Sequence, residues 1–353
     1  MKRSSADKND DEPRTVIITG ASQGLGLQCA LNVAQAHPRW HLVLACRAPL
    51  EKADAAAESV RQRTGHLHVE VVELDLASLQ SVRHFAAGIA QRLAAWGDDY
   101  HSAEALPPLA SLVCNAGLQV INPAVSKDGF ELTFATNHLG HFLLVNMLLR
   151  SILVDSAQRG TEAPVLRIVS VASGTHDPAK KTGMPHPRYI KADWLAHPER
   201  DTEDTKKDGR CTYTTSKLCN VLFTYELARR LKACGWEDRV HVTAYDPGFM
   251  PGTGLARDYP AALRWIFVNA LPWASINFAG SAWRPTPRCA GLQFKPASRL
   301  LRGIKKTGQI GAYAGIAVGV TAGVVVVTPI ALAVGIPTLA IGLPIYGAYK
   351  IVS

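Results

Sequence analysis

Tyr213 and Lys217, four apart in the run YTTSK, put a phenol and an ammonium on one face of a predicted helix. A cation beside a phenol favours the phenolate and draws a pKa of about 10 toward the range useful for exchanging a proton with a reacting oxygen. Ser173, at the end of the apolar run in IVSVAS, can hydrogen-bond a carbonyl oxygen from the opposite side. Phenol, ammonium and hydroxyl together suit proton transfer at a carbonyl or carbinol oxygen. A YxxxK pair alone is bland more often than not, so its weight depends on what else the chain supplies.

What it supplies first is TVIITGASQGLG, Thr15 to Gly26, a short apolar run ending in a glycine-punctuated turn that leads into an amphipathic segment. This reads as strand, tight turn, helix. Gly20, Gly24 and Gly26 let the backbone turn sharply, approach a pyrophosphate and pack a helix on the sheet, while the helix N-terminus offers unpaired N–H groups to phosphate. Further candidates fall at the ends of later apolar runs, where open α/β sheets place their ligands. Arg47 closes HLVLACR, where a cation suits the 2′-phosphate of NADP. Asp75 in ELDLAS either accepts a hydrogen bond from an adenine amino group or caps the next helix. Asn115, Ala116 and Gly117 leave room for a flat nucleotide against the backbone.

The elements that must position these residues follow from periodicity. Strand candidates at 15–19, His41 to Arg47, His66 to Asp75, 109–117, 165–173 and 240–248 alternate with segments long enough for helices, including an Ala-rich one at 50–63 and longer ones at 131–153 and 213–233. The expected fold class is α/β, a doubly wound parallel sheet covered on both faces, over residues 15–297 after a polar tail at 1–14. The stretch 174–211, rich in Pro, Lys, Asp and His, is either a functional loop or a solvated excursion. An apolar content of 47% in 353 residues excludes disorder throughout. The seven cysteines have no metal-ligand or disulfide spacing, so no metal is expected and a reducing compartment fits. The formal charge of +9 is spread over predicted helices without basic blocks and interleaved aromatics, which argues against a nucleic-acid partner.

Residues 15 to about 295 resemble the short-chain dehydrogenase/reductase family. TGASQGLG, with Ser22, Gln23 and Leu25 beside its glycines, resembles the family's cofactor turn. Asp75-Leu76 resembles its adenine contact, and Asn115-Ala116-Gly117 its sheet-stabilising motif. Asn137 in TNHLGHF, Ser173, Tyr213 and Lys217 match its catalytic tetrad, and Pro247-Gly248 match its nicotinamide-side turn. The resemblance implies a Rossmann fold in which Tyr213 exchanges the proton, Lys217 holds the nicotinamide ribose and tunes Tyr213, Ser173 positions the carbonyl and Asn137 supports a water relay. It implies NADP(H) as cofactor, hydride transfer between nicotinamide and a carbonyl or alcohol, and dimers or tetramers. Within the family, VLACR, NHLGHFLL, SKLCN and PGFMPGTGLARDYP look most like retinol-dehydrogenase-like reductases and protochlorophyllide reductase. Against C=C reduction of the second kind stand Phe249, where that enzyme has a cysteine, and NAG where it has NAA. Cys219, after Lys217, reads as a packed small residue rather than a reactive thiol.

The segment 249–274, with Phe249, Met250, Tyr259, Trp265, Phe267 and Trp273, reads as an apolar lid that would favour a lipophilic substrate of the retinoid, steroid or fatty-aldehyde class, or as packing in a core or dimer. Beyond Ala297, Arg299, Arg302, Lys305 and Lys306 precede a stretch from Thr307 to Tyr349 without a charged side chain. Gly308 to Thr328 and Ile330 to Tyr349 are each long enough to cross a hydrocarbon core of about 30 Å as helices, with Pro329 at the break. The expectation is a membrane-inserted hairpin with the basic cluster and the catalytic domain on the cytoplasmic side. A tail buried in the fold or in an oligomer interface, with a faint trace at Gly311-Ala312-Tyr313 of the family's seventh strand, is the other reading. A membrane-tethered nucleotide-binding sensor or scaffold without turnover is the alternative from another functional class.

Overall fold

A computed structural model describes residues 12–96, 104–122, 124–159, 165–180, 182–202 and 208–248, with 250, 261 and the backbone of 315–321 and 324–330. The chain runs β1 (Thr15–Thr19), α1 (Gly24–Ala36), β2 (His41–Cys46), α2 (Glu51–Thr64), β3 (Val69–Glu73), α3 (Leu79–Ala95) and β4 (Leu109–Cys114). It continues through α4 (Leu132–Phe134), a π-helical turn (Ala135–Leu139), α5 (Gly140–Arg159), β5 (Leu166–Val171), α6 (Ala192–Ala196), α7 (Gly209–Ala233) and β6 (Val240–Tyr245). Six parallel strands pair in the order β3-β2-β1-β4-β5-β6. The order reverses at β1 and β4, which opens the crevice in which such sheets bind their ligands.

Near-continuous apolar runs build the central strands because both sheet faces are covered. All five residues of β1 are buried. Ile17, Val43 and Leu112 face a core shared with Phe85, Phe134, Leu144 and Phe223 from the helices α3 to α7. Val16, Ile18, Leu42 and Leu44 face the opposite core, with Leu31 of α1 and Val60 of α2. The period of two along each strand therefore divides one sheet between two cores. β3 and β6 are the two edges of this sheet among the described strands, and beyond Val240 the residues of β6 are half-buried or exposed.

Among the described residues, one helical rod, Leu132–Ala157, is long and apolar enough by length and composition to cross a membrane, yet 56% of its most apolar stretch is buried inside the protein. It is the core helix over the sheet. The helix expected from Gly308 to Thr328 is corrected by the structure. There β7 (Gly315–Thr321) and β8 (Val324–Ile330) form an antiparallel ribbon with Gly315 opposite Ile330 and Val320 opposite Val325. The run VVVVT explains the difference, since branching at Cβ restricts side chains in a helix and suits a pleated surface. Most of the expected second span, most of the proposed lid, and Gly311-Ala312-Tyr313 lie outside the described residues.

Glycine makes one contact in this frame possible. An ideal Cβ on Gly140 would lie 2.3 Å from the carbonyl oxygen of Leu76, so the start of α5 can rest on the β3 exit only without a side chain. Gly140→Ala is expected to destabilise by about 1–3 kcal/mol through overpacking, read as a lower urea midpoint at unchanged slope. An unaltered midpoint would mean that α5 shifts freely.

Candidate active site

The first turn is built by backbone approach. Gly20 and Gly24 have φ of 65° and 57°, the left-handed region that side chains disfavour. A Cβ on Gly20 would meet Ala116 at 2.9 Å, and one on Gly26 would meet Asn115 Nδ2 and the Gly20 carbonyl oxygen at 2.6 Å. Asn115 Nδ2 donates to the Thr19 carbonyl at 2.8 Å and more weakly to that of Gly20 at 3.3 Å, so the end of β4 is tied to the turn after β1. Gln23 precedes α1 in an extended conformation with no side-chain cap, which leaves the first N–H groups of a 13-residue helix for an anion. A cradle that any Cβ would fill, opening onto an uncapped helix start, fits the pyrophosphate of a dinucleotide.

Tyr213 and Lys217 lie on α7, which begins four residues before Tyr213 because Asp208 caps it by accepting from Arg210 N. Gly209 lets that end press onto the segment after β4, since a Cβ there would sit 1.9 Å from the Val120 carbonyl oxygen. Lys217 Nζ lies 5.7 Å from the centroid of the Tyr213 ring and donates to the Val171 carbonyl at 2.9 Å. Burial pulls this ammonium down to about 8. Both residues are buried on the cleft wall, and Ser173 stands two residues past β5 on the same wall. Thr175 Oγ1 donates to Ser173 Oγ at 3.0 Å, which orients the serine hydroxyl.

These groups share one cleft of ≈ 1070 Å³ along the strand ends. It is lined by Gly20, Ser22, Gln23, Gly24, Leu25 and Gly26 from the first turn, Arg47, Asp75 and Leu76 from the next two strand ends, and Asn115, Ala116 and Gly117. Ser173, Tyr213, Lys217, Pro247 and Gly248 complete the sequence-derived set. Asn137 is the exception: it is fully buried behind the wall, on the π turn. Its Oδ1 accepts from Leu118 N at 2.8 Å, and its Nδ2 donates to the Leu118 carbonyl at 2.9 Å and to Ser216 Oγ at 3.1 Å. Its side chain therefore fastens the β4 exit to α7. Asp75 is not the cap of α3, a role taken by Ser78, which accepts from Ser81 N; Asp75 Oδ1 instead accepts from Ala77 N at 3.0 Å.

Several lining groups have no signature in the sequence. Lys52, at the start of α2, lines the cleft together with exposed Arg47. Asp246 Oδ1 accepts from Gly248 N and Oδ2 accepts from Lys180 Nζ, both at 3.0 Å. Burial raises the Asp246 carboxyl, but Lys180 and the Gly248 amide outweigh it and hold the group below the usual carboxylate range. The stretch 174–211 is tied down at particular points, while Pro178, Ala179, Thr182, Gly183 and Ile190 are exposed. Arg188 N donates to Thr215 Oγ1 on α7 at 2.9 Å, and its guanidinium grips Asp201 through Nε at 3.0 Å and a second nitrogen at 3.2 Å. Cys219 is wholly buried and its thiol is pushed up to about 12, in keeping with a packed residue.

The order of strands, the glycine turn and the YxxxK helix together define a doubly wound α/β domain of the Rossmann type. Residues 14–181 match the sequence profile of the short chain dehydrogenase family. Retinol dehydrogenase 13 of Homo sapiens is 36% identical over 235 residues, which cover 67% of this chain and 58% of that protein. A protochlorophyllide reductase of Avena sativa is 33% identical over 279 residues, 76% of this chain and 81% of that one. The crystal structure of an uncharacterized protein from Mycobacterium Paratuberculosis is 35% identical, with a TM-score of 0.49 and coverage of 69% and 71%. The chain spans 58% to 65% of the length of the first curated relatives it matches. It belongs to the short-chain dehydrogenase family, an oxidoreductase family that uses a nicotinamide cofactor.

Two buried histidines beside the site set a pH dependence of stability. Burial drives His138 down to about 4 and His141 to about 3, from an ordinary 6.5. The native state then holds fewer protons than the unfolded chain, so the stability due to these two groups is full above about pH 6.5 and lost as pH falls toward their folded values. Urea midpoints should decline between pH 6.5 and 4.5, and decline less in His138→Gln. Equal slopes in the two proteins would remove His138 from this account.

Proposed function

We propose that the chain is an NADP(H)-dependent oxidoreductase that moves a hydride between nicotinamide and the carbonyl or carbinol carbon of a lipophilic substrate. The observation that carries this reading is that Ser173, Tyr213 and Lys217 line the same cleft as the uncapped first turn. When bound, the nicotinamide supplies or receives the hydride. In the reductive direction Ser173 Oγ and Tyr213 Oη hold the substrate oxygen, and Tyr213 gives it a proton as the carbon becomes a carbinol. Lys217 would lower the cost of the phenolate left behind and is the residue that would hold the nicotinamide ribose. Asn137, fixed to Leu118 and Ser216, holds the wall behind them.

Arg47 and Lys52 support NADP(H), because two cations at the second-strand end of the cleft suit a 2′-phosphate. Arg47→Ala is expected to weaken NADPH binding by roughly tenfold, the effect of losing one charge-assisted hydrogen bond, while NADH binding stays level. Titration of both nucleotides by fluorescence tests this, and an equal change for the two would assign Arg47 to the surface.

Met184 and Met250, two flexible apolar side chains on the cleft wall, support a lipophilic substrate. With NADPH, a panel of retinoid, steroid and fatty aldehydes or ketones should be reduced in preference to small polar carbonyls. Tyr213→Phe should lower turnover by about 100-fold or more with NADPH affinity within a few-fold of the parent. Activity confined to small polar carbonyls would remove the lipophilic substrate. Turnover only in light on a tetrapyrrole would move the assignment to C=C reduction. Tight NADPH binding with no turnover at all would make the protein a nucleotide-binding sensor.

A further inference from the structure

The polar groups behind the cleft form one connected set, and its centre is a residue that the proposed chemistry does not use. His141 lies on the first turn of α5 and is 4% exposed. Its Nδ1 is 3.2 Å from the Asn137 carbonyl oxygen and its Nε2 is 2.8 Å from Thr19 Oγ1. The partners assign the tautomer. A carbonyl only accepts, so Nδ1 carries the hydrogen and Nε2 is left as an acceptor. Thr19 Oγ1 already accepts from Asn115 N and Ala116 N, both at 2.9 Å, so its own hydrogen goes to Nε2 in preference to the Val113 carbonyl at 3.4 Å.

Each end of this bridge reaches a different part of the cleft. On one side the Thr19 hydroxyl gathers the first two amides beyond β4, beside the carbonyls of Thr19 and Gly20 that Asn115 Nδ2 holds. On the other side the Asn137 carbonyl also accepts from Asn220 Nδ2 of α7 at 3.1 Å, and Asn137 Nδ2 donates to Ser216, the neighbour of Lys217. The π turn brings this carbonyl to the junction, since the wider turn displaces backbone that a regular α-helix would keep in its own ladder.

We propose that His141 is a positioning residue that couples the cofactor turn to the catalytic helix, its ring fixing the Thr19 hydroxyl with one nitrogen and the Asn137 carbonyl with the other. The coupling works because each ring nitrogen meets one partner of opposite hydrogen-bonding sense, so the seat of the pyrophosphate and the seat of Tyr213 and Lys217 are referred to one rigid plane. The functional half of this inference rests on the nucleotide-binding reading above, and the structural half does not.

Three substitutions separate the two ends. His141→Gln keeps a carbonyl near the Nε2 position for the Thr19 hydroxyl and gives up the Asn137 link. His141→Asn keeps an amide N–H near the Nδ1 position for the Asn137 carbonyl and gives up Thr19. His141→Leu gives up both. The first readout is hydrogen exchange at the amides of Asn115 and Ala116; the second is the NADPH dissociation constant, and the third is kcat at saturating NADPH. Exchange should quicken about tenfold, and NADPH binding weaken by a similar factor, in the Asn and Leu variants but not in the Gln variant, the loss expected for a buried hydrogen bond. kcat should fall in the Gln and Leu variants more than in the Asn variant. Thr19→Val, which also removes the acceptor of the Asn115 and Ala116 amides, should lose at least as much as His141→Asn, and adding His141→Asn to it should change little further. Unchanged exchange and binding in His141→Leu would overturn the proposal, as would equal losses of all three quantities in the Gln and Asn variants, which would mean that the ring only fills space. A parent protein that binds no NADPH would sink the functional reading, while the exchange measurements would still decide whether the bridge exists.

Discussion

An ammonium group inside the protein sets the terms for the rest of this structure. Lys217 donates to the Val171 carbonyl from a position where burial brings it down to about 8. Its folded value lies below its ordinary 10.5, so at neutral pH the native state carries the penalty of a buried cation, a penalty relieved only as pH rises past about 8. Selection for stability alone would replace such a residue with an apolar one. Its placement makes sense beside the Tyr213 ring, where the proposed chemistry would use a positive charge. The surrounding devices hold α7 at the depth this requires: the bare Gly209 contact with the Val120 carbonyl, the Asn137 link to Ser216 and the Asn220 link to the π turn.

The same logic accounts for which features could be read in the sequence. The glycine turn and the YxxxK pair are local patterns in which spacing fixes geometry, so β1, α1 and α7 and their residues were legible before any fold was seen. The strands showed as apolar runs because a doubly covered sheet leaves little polar alternation to hide them. Asp75 was ambiguous because an aspartate after a strand suits several turns, and only the position of Ser78 settles which residue caps α3. The link between Thr19 and His141 spans 122 residues and that between Lys180 and Asp246 spans 66, and no local spacing relates such partners. The π turn has no compositional mark, since TNHLGHF reads as ordinary helix. Within Thr307 to Tyr349, length and lack of charge favour a membrane helix while the many Gly and Val residues oppose it, and in Gly315–Thr321 and Val324–Ile330 branching at Cβ prevails.

The cleft wall divides into parts with different freedom to vary. A Cβ added to Gly20 or Gly26 would lie within 3 Å of backbone atoms of Ala116 or of Gly20 and Ala21, so these two positions serve shape. Tyr213 and Lys217 are set by α7, and Ser173 by the end of β5; on the proposed function they would serve a reaction common to many carbonyls. What remains is the excursion after Ser173, with Thr182 and Met184, and the turn after β6, with Met250. These two loops meet at Asp246, whose carboxylate holds Lys180 from one and the Gly248 amide from the other. A mutation that changed substrate choice without touching the nucleotide would therefore be sought on either side of that ion pair. Arg188 and Asp201 anchor the excursion to α7 further along, so the segment between Thr175 and Arg188 can vary without loosening the helix that carries the tyrosine.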